Sequence, residues 1–173
     1  MALPIVIGID FETADMGPDS ACAIGMARLR DGVVEDRFYR RIRPPRSRVR
    51  FTEIHGLTWS MLKDQPIFAD LWPDIRAFMT GAQWLAAHNA PFDRRILRGC
   101  CAAAGVAAPP IPFACTLKGA RRNLPLASKK LDAVCAHFGI SLQHHHAGSD
   151  ATAAALIFLR LTEMGIPPES MGC

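Results

Sequence analysis

The sequence predicts an α/β protein built on a mixed sheet, three strands of which form an antiparallel meander, with helices on both faces. Three observations carry that expectation. An apolar run near the N-terminus, Leu3-Pro4-Ile5-Val6-Ile7-Gly8-Ile9, reads as a buried strand. Two more strand-like runs, Ala21 to Leu29 and Val33 to Ile42, are separated by Arg30-Asp31-Gly32, and Asp-Gly is a strong hairpin signal. From Pro66 onward, helical spacings alternate with the short apolar run Trp84-Leu85-Ala86-Ala87, the pattern of strands covered by helices.

The elements follow in chain order. Pro44-Pro45 ends the third strand, and an arginine-rich loop leads to Phe51-Thr52-Glu53-Ile54-His55-Gly56-Leu57-Thr58, with Thr58 placed to cap a short helix, Trp59 to Lys63. Between Pro66 and Met79, apolar residues at Phe68, Leu71, Trp72, Ile75, Phe78 and Met79 keep a helical spacing that Gly81 terminates. After the short strand comes His88-Asn89-Ala90, and Pro91, a favoured first helical residue, opens a helix to about Ala104. Further helices are predicted over Ala114 to about Arg122, Lys130 to Phe138 before Gly139, and Ser149 to Met164 before Gly165, with Ser149 as the cap of the last. Ile166 to Cys173 contains Pro167-Pro168, and residues 165–173 are expected to fray as a flexible tail. No internal repeat or linker interrupts the chain, so residues 1–173 read as a single domain.

At 173 residues, with 50% hydrophobic and 21% charged side chains, the chain is long enough to bury a sizeable core and is not of disordered composition. Its apolar stretches fall short of the roughly 20 residues of a membrane span, and no signal-peptide pattern precedes the first strand; a cytoplasmic protein with no membrane partner is expected. Cys22, Cys100, Cys101, Cys115, Cys135 and Cys173 form no Cys-x-x-Cys pair and no finger-like spacing, so reduced, mostly buried thiols are expected. The net charge is +4, and Arg37, Arg40, Arg41, Arg43, Arg46, Arg48 and Arg50 fall in one stretch free of acids. That stretch suits a nucleic-acid partner or, equally, a solvated hairpin edge guarded by charge.

The residues that suggest chemistry begin at the end of the first strand. Side chains two apart on a strand share a face, so Asp10 and Glu12 project together. Two carboxylates at the end of an apolar strand are costly unless offset, and hard oxygen donors suit a divalent cation such as magnesium or manganese; a solvent-facing acidic pair is the alternative. Asp93 lies on the first turn of a helix, where a charge favouring the positive dipole end is the ordinary reading. Asp150 stands likewise at a helix start, after His144-His145-His146. Adjacent histidines point in different directions, which makes the triplet a poor cage for one ion unless it forms a tight loop.

Together these segments resemble a known family. Asp10-x-Glu12, His88-Asn89-Ala90-x-Phe92-Asp93, and His145 five residues before Asp150 are similar to the three ordered motifs of the DEDDh 3′-to-5′ exonucleases, especially proofreading epsilon-subunit-like proteins. Ile54-His55-Gly56-Leu57-Thr58, Thr116-Leu117 and Lys130-Leu131-Asp132 also resemble family segments, and the likeness runs from about residue 5 to 160. A sister group has tyrosine four residues before the last acid; His146 stands there, so the histidine type fits through His145. Cys115 departs from the pattern, since many relatives carry an acid before Thr-Leu.

The resemblance implies a ribonuclease-H-like fold and hydrolysis of phosphodiester bonds at the 3′ end of mainly single-stranded DNA, releasing nucleoside 5′-monophosphates. It implies two divalent ions, Mg2+ or Mn2+: Asp10 bridging both, Glu12 and Asp150 completing the ion that holds the attacking water, and Asp93 supporting the second through water. His145 would take the proton of that water, imidazole being the side chain that exchanges protons near neutral pH. The implied substrate set is Phe11, Thr13, Met16, Ile54, His55, Asn89 and Phe92. Backbone groups around Thr13, with the Glu12 side chain, would read the terminal 3′ hydroxyl, and Ile54 and Met16 would press on the last base. Asn89 and Phe92 would orient the terminal nucleotide, Phe92 being equally suited to core packing, and His55 would touch phosphate or satisfy a turn. An RNA 3′-to-5′ exonuclease of the same mechanism is the near alternative, and a non-catalytic nucleic-acid-binding or polymerase-accessory module the distant one. The domain is expected to use essentially the whole chain, with no extended C-terminal segment to tether it to a polymerase; action alone, polymerase association and a homodimer stay open.

Overall fold

The computed structural model describes residues 4–173, so Leu3, the first residue of the expected N-terminal run, lies outside the described residues. Among the described residues, five strands form one sheet in the order β3-β2-β1-β4-β5. Strands β1 (Val6–Thr13), β2 (Ala21–Arg30) and β3 (Val33–Arg41) are the antiparallel meander; β4 (Trp84–Ala87) pairs in parallel with β1, and β5 (Phe113–Cys115) with β4. The β2–β3 turn is a two-residue one in which Asp31 and Gly32 both take positive φ, 48° and 80°, as the right-handed twist of a hairpin favours.

The alternation of β1 divides the molecule. Ile7, Ile9 and Phe11 point into a core completed by Ile24, Met26 and Leu85 of the sheet and by α3 (Phe68–Phe78) and α4 (Ala90–Ala103). Val6 points the other way, into a core made with α5 (Thr116–Asn123), α6 (Leu131–Phe138) and α7 (Ala147–Glu163). Between β3 and α3 the chain makes two single turns, α1 (Thr52–His55) and α2 (Trp59–Leu62). Helices therefore cover both faces, as the sequence predicts, and none among the described residues is long and apolar enough to cross a membrane.

Three expectations are corrected. Phe113-Ala114-Cys115 is a strand, and the helix expected from Ala114 starts at Thr116; three apolar residues have no readable period, and their state is fixed by parallel pairing with Leu85 to Ala87. The last helix starts at Ala147 rather than Ser149. Its cap is the His146 ring, whose Nδ1 accepts the Ser149 N–H at 3.4 Å while the ring stacks on Tyr39, centroids 4.6 Å apart. Ser149 Oγ instead accepts the Gln143 N–H at 2.7 Å, folding the histidine loop back on the helix. Finally, the tail is packed rather than frayed: Pro168–Met171 is a 3-10 turn, Met171 is fully buried, and Gly172 bridges Ala114 at the free edge of β5. The prolines that argue against a helix there pre-set the extended entry to that turn.

Cys22, Cys100, Cys101, Cys115 and Cys135 are buried, as expected, and Cys173 is exposed. The arginine stretch divides its labour. Arg46 donates to both Asp15 and Asp19, binding the loop after β1 to the loop after β3, and these hydrogen bonds, aided by its charge, hold both carboxyls below their usual range. Arg40 lies over the Phe38 ring at 4.7 Å, whereas Arg48 and Arg50 line an open groove with Met16.

Candidate active site

The acids are brought together by a close helix–sheet approach that two glycines permit. Gly8, Asp10 and Glu12 share the α7 face of β1, and Gly25 of β2 pairs with Asp10. A Cβ on Gly8 would lie 2.0 Å from the Ala151 carbonyl oxygen, and one on Gly25 would lie 2.1 Å from that of Ala147. The first turns of α7 therefore rest on the sheet backbone, their facing residues Ala151 and Ala155 being small and buried. Asp150, one residue before Ala151, is delivered beside the β1 carboxylates.

One carboxylate oxygen from each of Asp10, Glu12 and Asp150 lies within 4.8 Å of the others. Asp93, on the first turn of α4 and 2% exposed, stands beside this trio rather than within it; its Oδ1 accepts the Phe11 N–H of β1 at 3.0 Å. The four affect one another strongly. Burial first, then Asp93, Glu12 and Asp150, holds the Asp10 carboxyl well above the ordinary range. Burial and the charges of Asp150 and Asp93 push Glu12 to about 8. Burial likewise lifts Asp93 to about 8 against the lowering hydrogen bond from Phe11. Asp150 is raised by burial too, although His144 and the His145 N–H pull it back. Asp150 Oδ1 is buried without a hydrogen-bond partner in the protein. Clustered oxygen donors, mutual repulsion and an unpartnered buried oxygen all fit a hard divalent cation.

The histidine loop sorts its three rings. His146 is committed to the cap and to Tyr39. His145 takes a positive φ of 63°, its N–H donates to Asp150 Oδ2 at 3.1 Å, and its exposed ring stacks on that of His144 at 3.8 Å. His144 Nδ1 lies 3.3 Å from the same Oδ2. Both rings line a cavity of about 520 Å³ whose floor is Asp10, Glu12 and Asp150. His145, the expected proton acceptor, is thus at the site, and His144 shares its place.

The expected substrate residues fare unequally. Met16, Ile54 and Phe92 are large apolar side chains exposed by 68%, 53% and 37%, which core packing does not explain; Phe92 is therefore not core. Asn89 is exposed and holds the left-handed turn, φ 89°, from β4 into α4. The Thr13 side chain is buried and its carbonyl faces His55. The other two, Phe11 and His55, are placed by contacts within the protein. The Phe11 side chain lies in the α3–α4 core, 3% exposed, because odd positions of β1 face away from the acids; its N–H holds Asp93, and the residue still lines the cavity. Both His55 ring nitrogens are engaged: Nδ1 accepts the Leu57 N–H at 3.1 Å, which leaves Nε2–H to donate to Thr13 O at 3.1 Å. Burial keeps that imidazole below its usual pKa, and its two bonds brace α1 against the end of β1, which is the turn-satisfying one of the two roles expected for it.

Sequence reasoning missed a basic side to this cavity. Arg121, Lys129 and Lys130 line it together with the acids, and His88 holds the loop that carries the lysines. Their signal was present only as Lys129-Lys130 beside the Leu131-Asp132 segment.

Residues 7–158 match the RNase_T family, described as "Exonuclease". This chain belongs to that exonuclease family. Among curated relatives, the DNA polymerase III PolC-type protein of Thermotoga petrophila is 34% identical over 161 residues, covering 90% of this chain. Exodeoxyribonuclease 10 of Escherichia coli K12 is 35% identical over 114 residues, 60% of this chain and 45% of that protein. The chain spans only 12% of the length of the PolC-type relative. Among solved structures, exonuclease X in complex with 5′ overhanging duplex DNA superposes with a TM-score of 0.73 at 28% identity over 96% of both chains. The nuclease domain of 3′hExo, a DEDDh family member bound to rAMP, gives 0.76 at 17% identity over 94% of both, a likeness of fold. The fold is thus the ribonuclease-H-like one of these exonucleases.

Proposed function

We propose that this protein is a DEDDh-type 3′-to-5′ exonuclease that depends on divalent cations, acts on single-stranded DNA ends and releases nucleoside 5′-monophosphates. The observation that carries the reading is the trio Asp10, Glu12 and Asp150, with its unpartnered buried oxygen, at the floor of a nucleotide-sized cavity. DNA is favoured over RNA because the named relatives are a DNA polymerase and an exodeoxyribonuclease. The PolC-type relatives favour a polymerase as partner.

Asp10, Glu12 and Asp150, with Asp93 beside them, would hold two Mg2+ or Mn2+ ions. Such ions lower the pKa of a bound water and offset charge developing on phosphorus and on the departing 3′ oxygen. His145 accepts the proton of the attacking water; its backbone is fixed to Asp150 while its ring, stacked on His144, stays exposed. Glu12 and the backbone at Thr13 read the terminal 3′ hydroxyl. Met16, Ile54 and Phe92 offer apolar contact to bases, which every base accepts and which therefore tolerates any sequence. An unpaired terminus enters such a site more cheaply than a paired one.

Incubating a 5′-labelled single strand with Mg2+ or Mn2+ should shorten it from the 3′ end one nucleotide at a time, with excess chelator stopping the reaction. Matched DNA and RNA strands compare the sugars, with faster DNA cleavage expected. No mononucleotide release with either ion would sink the reading.

A further inference from the structure

The cavity lined by the acids is also lined by basic side chains, and one imidazole bonds to both of the segments that carry them. Arg121 comes from the exposed face of α5, and Lys130 is the residue that leads into α6. Among the described residues neither side chain has an ion pair or hydrogen bond. Lys129, which precedes Lys130, is engaged: its ammonium donates to the Leu126 carbonyl, closing the loop. The loop is fixed by His88 at the end of β4. Its Nε2 lies 2.8 Å from the Lys129 carbonyl, which only accepts, so that nitrogen carries the proton. Its Nδ1 lies 2.9 Å from Thr116 Oγ1 at the start of α5 and accepts from that hydroxyl. One imidazole thus ties both basic segments to the strand that precedes Asp93.

The two sets of charges suit two different contacts with one ligand. A carboxylate floor binds phosphate only through cations, whereas free guanidinium and ammonium groups bind it directly. A strand with its terminal phosphodiester over the acids has further phosphates to place, and the cations of the same cavity are placed to receive one or two of them.

We propose that Arg121 and Lys130 form a phosphate-binding subsite for the polynucleotide strand, and that His88 is the positioning residue that sets this subsite in the cavity of the acids. The subsite rests on the nuclease reading above. It recognises phosphodiester, not the sugar, so DNA and RNA strands engage it alike.

The test is the salt dependence of strand binding, read by fluorescence anisotropy with labelled DNA and RNA oligonucleotides in EDTA, alongside Mn2+ titration of each protein. Loss of two single-strand phosphate contacts should reduce the log Kd against log salt slope by about 1.4 and weaken binding roughly tenfold at low salt. That result is expected for the Arg121→Ala/Lys130→Ala protein on both strands, with Mn2+ affinity kept. His88→Ala should reproduce most of the slope change and add little to the double variant, while His88→Gln, which still donates towards Lys129, should recover it. If His88→Ala does not fold, His88→Gln and the double variant carry the test. A wild-type slope in the double variant on either strand overturns the subsite, and full additivity with His88→Ala overturns the positioning role. Wild-type protein that shows the slope but releases no mononucleotide sinks the nuclease reading and supports the subsite; cleavage with unchanged variant slopes sinks the subsite alone.

Discussion

The two faces of strand β1 do opposite work. On one, Ile7, Ile9 and Phe11 are fully or almost fully buried against α3 and α4. On the other, Gly8, Asp10 and Glu12 meet the first turns of α7 and carry carboxyls whose pKa values are driven upward. A strand alternates every residue, so each acid is flanked in sequence by a core side chain that fixes its backbone. The lesson is that the dry face supplies the rigidity, and the acid face carries unfavourable charge that the dry face must hold in place.

That contrast can be broken one face at a time. Asp10→Asn should lower hydrolysis on the order of 10³-fold, while melting of the metal-free protein is unchanged or raised because repulsion is relieved; steady-state rates and Tm check both. Gly25→Ala places a Cβ 2.1 Å from the Ala147 oxygen and lifts α7 with Asp150, so a loss of about 10²-fold in rate is expected from misplacement alone. Ile9→Ala, on the dry face, should cost about 2–5 kcal/mol by urea denaturation, with activity per folded molecule largely kept. A drop in rate matching that of Asp10→Asn would erase the distinction between the faces.

A smaller effect is the pH dependence of stability without metal. Glu12 titrates near 4.5 when unfolded and about 8 when folded, so between those values the folded state binds the extra proton. Stability then falls as pH rises through that window, the reverse of a salt-bridged carboxylate. Metal-free Tm should decline from pH 5 to 8, the decline should shrink in Glu12→Gln, and Mn2+ should restore most at the high end. The smallest expected effect is His146→Ala, which removes the α7 cap and should cost about 1 kcal/mol.

The acids and the meander were legible because each is written in local sequence: a period of two, an Asp-Gly turn, carboxylates at helix starts. Phe113-Ala114-Cys115 was not, since three residues acquire their state only by pairing with β4. The cap of α7 was misplaced because Ser149 is the conventional residue, whereas His146 wins through a stack on Tyr39 more than a hundred positions away. Phe11 was assigned to the substrate by its place in the motif, although alternation with Asp10 and Glu12 already pointed it to the core. Arg121 and Lys130 come to line the same cavity as the acids through tertiary packing and the two bonds of His88, contacts that no spacing announces.

The claim most exposed to refutation is that the acid face of β1 and Asp150 form one cation site on which hydrolysis depends. Direct Mn2+ titration of wild-type, Asp10→Asn and Asp150→Asn proteins, each folded by circular dichroism, tests it. Wild-type protein should bind saturably, and both variants should bind far more weakly, with mononucleotide release lost in parallel. Undiminished Mn2+ binding in the variants, or cleavage that survives without it, would contradict the account.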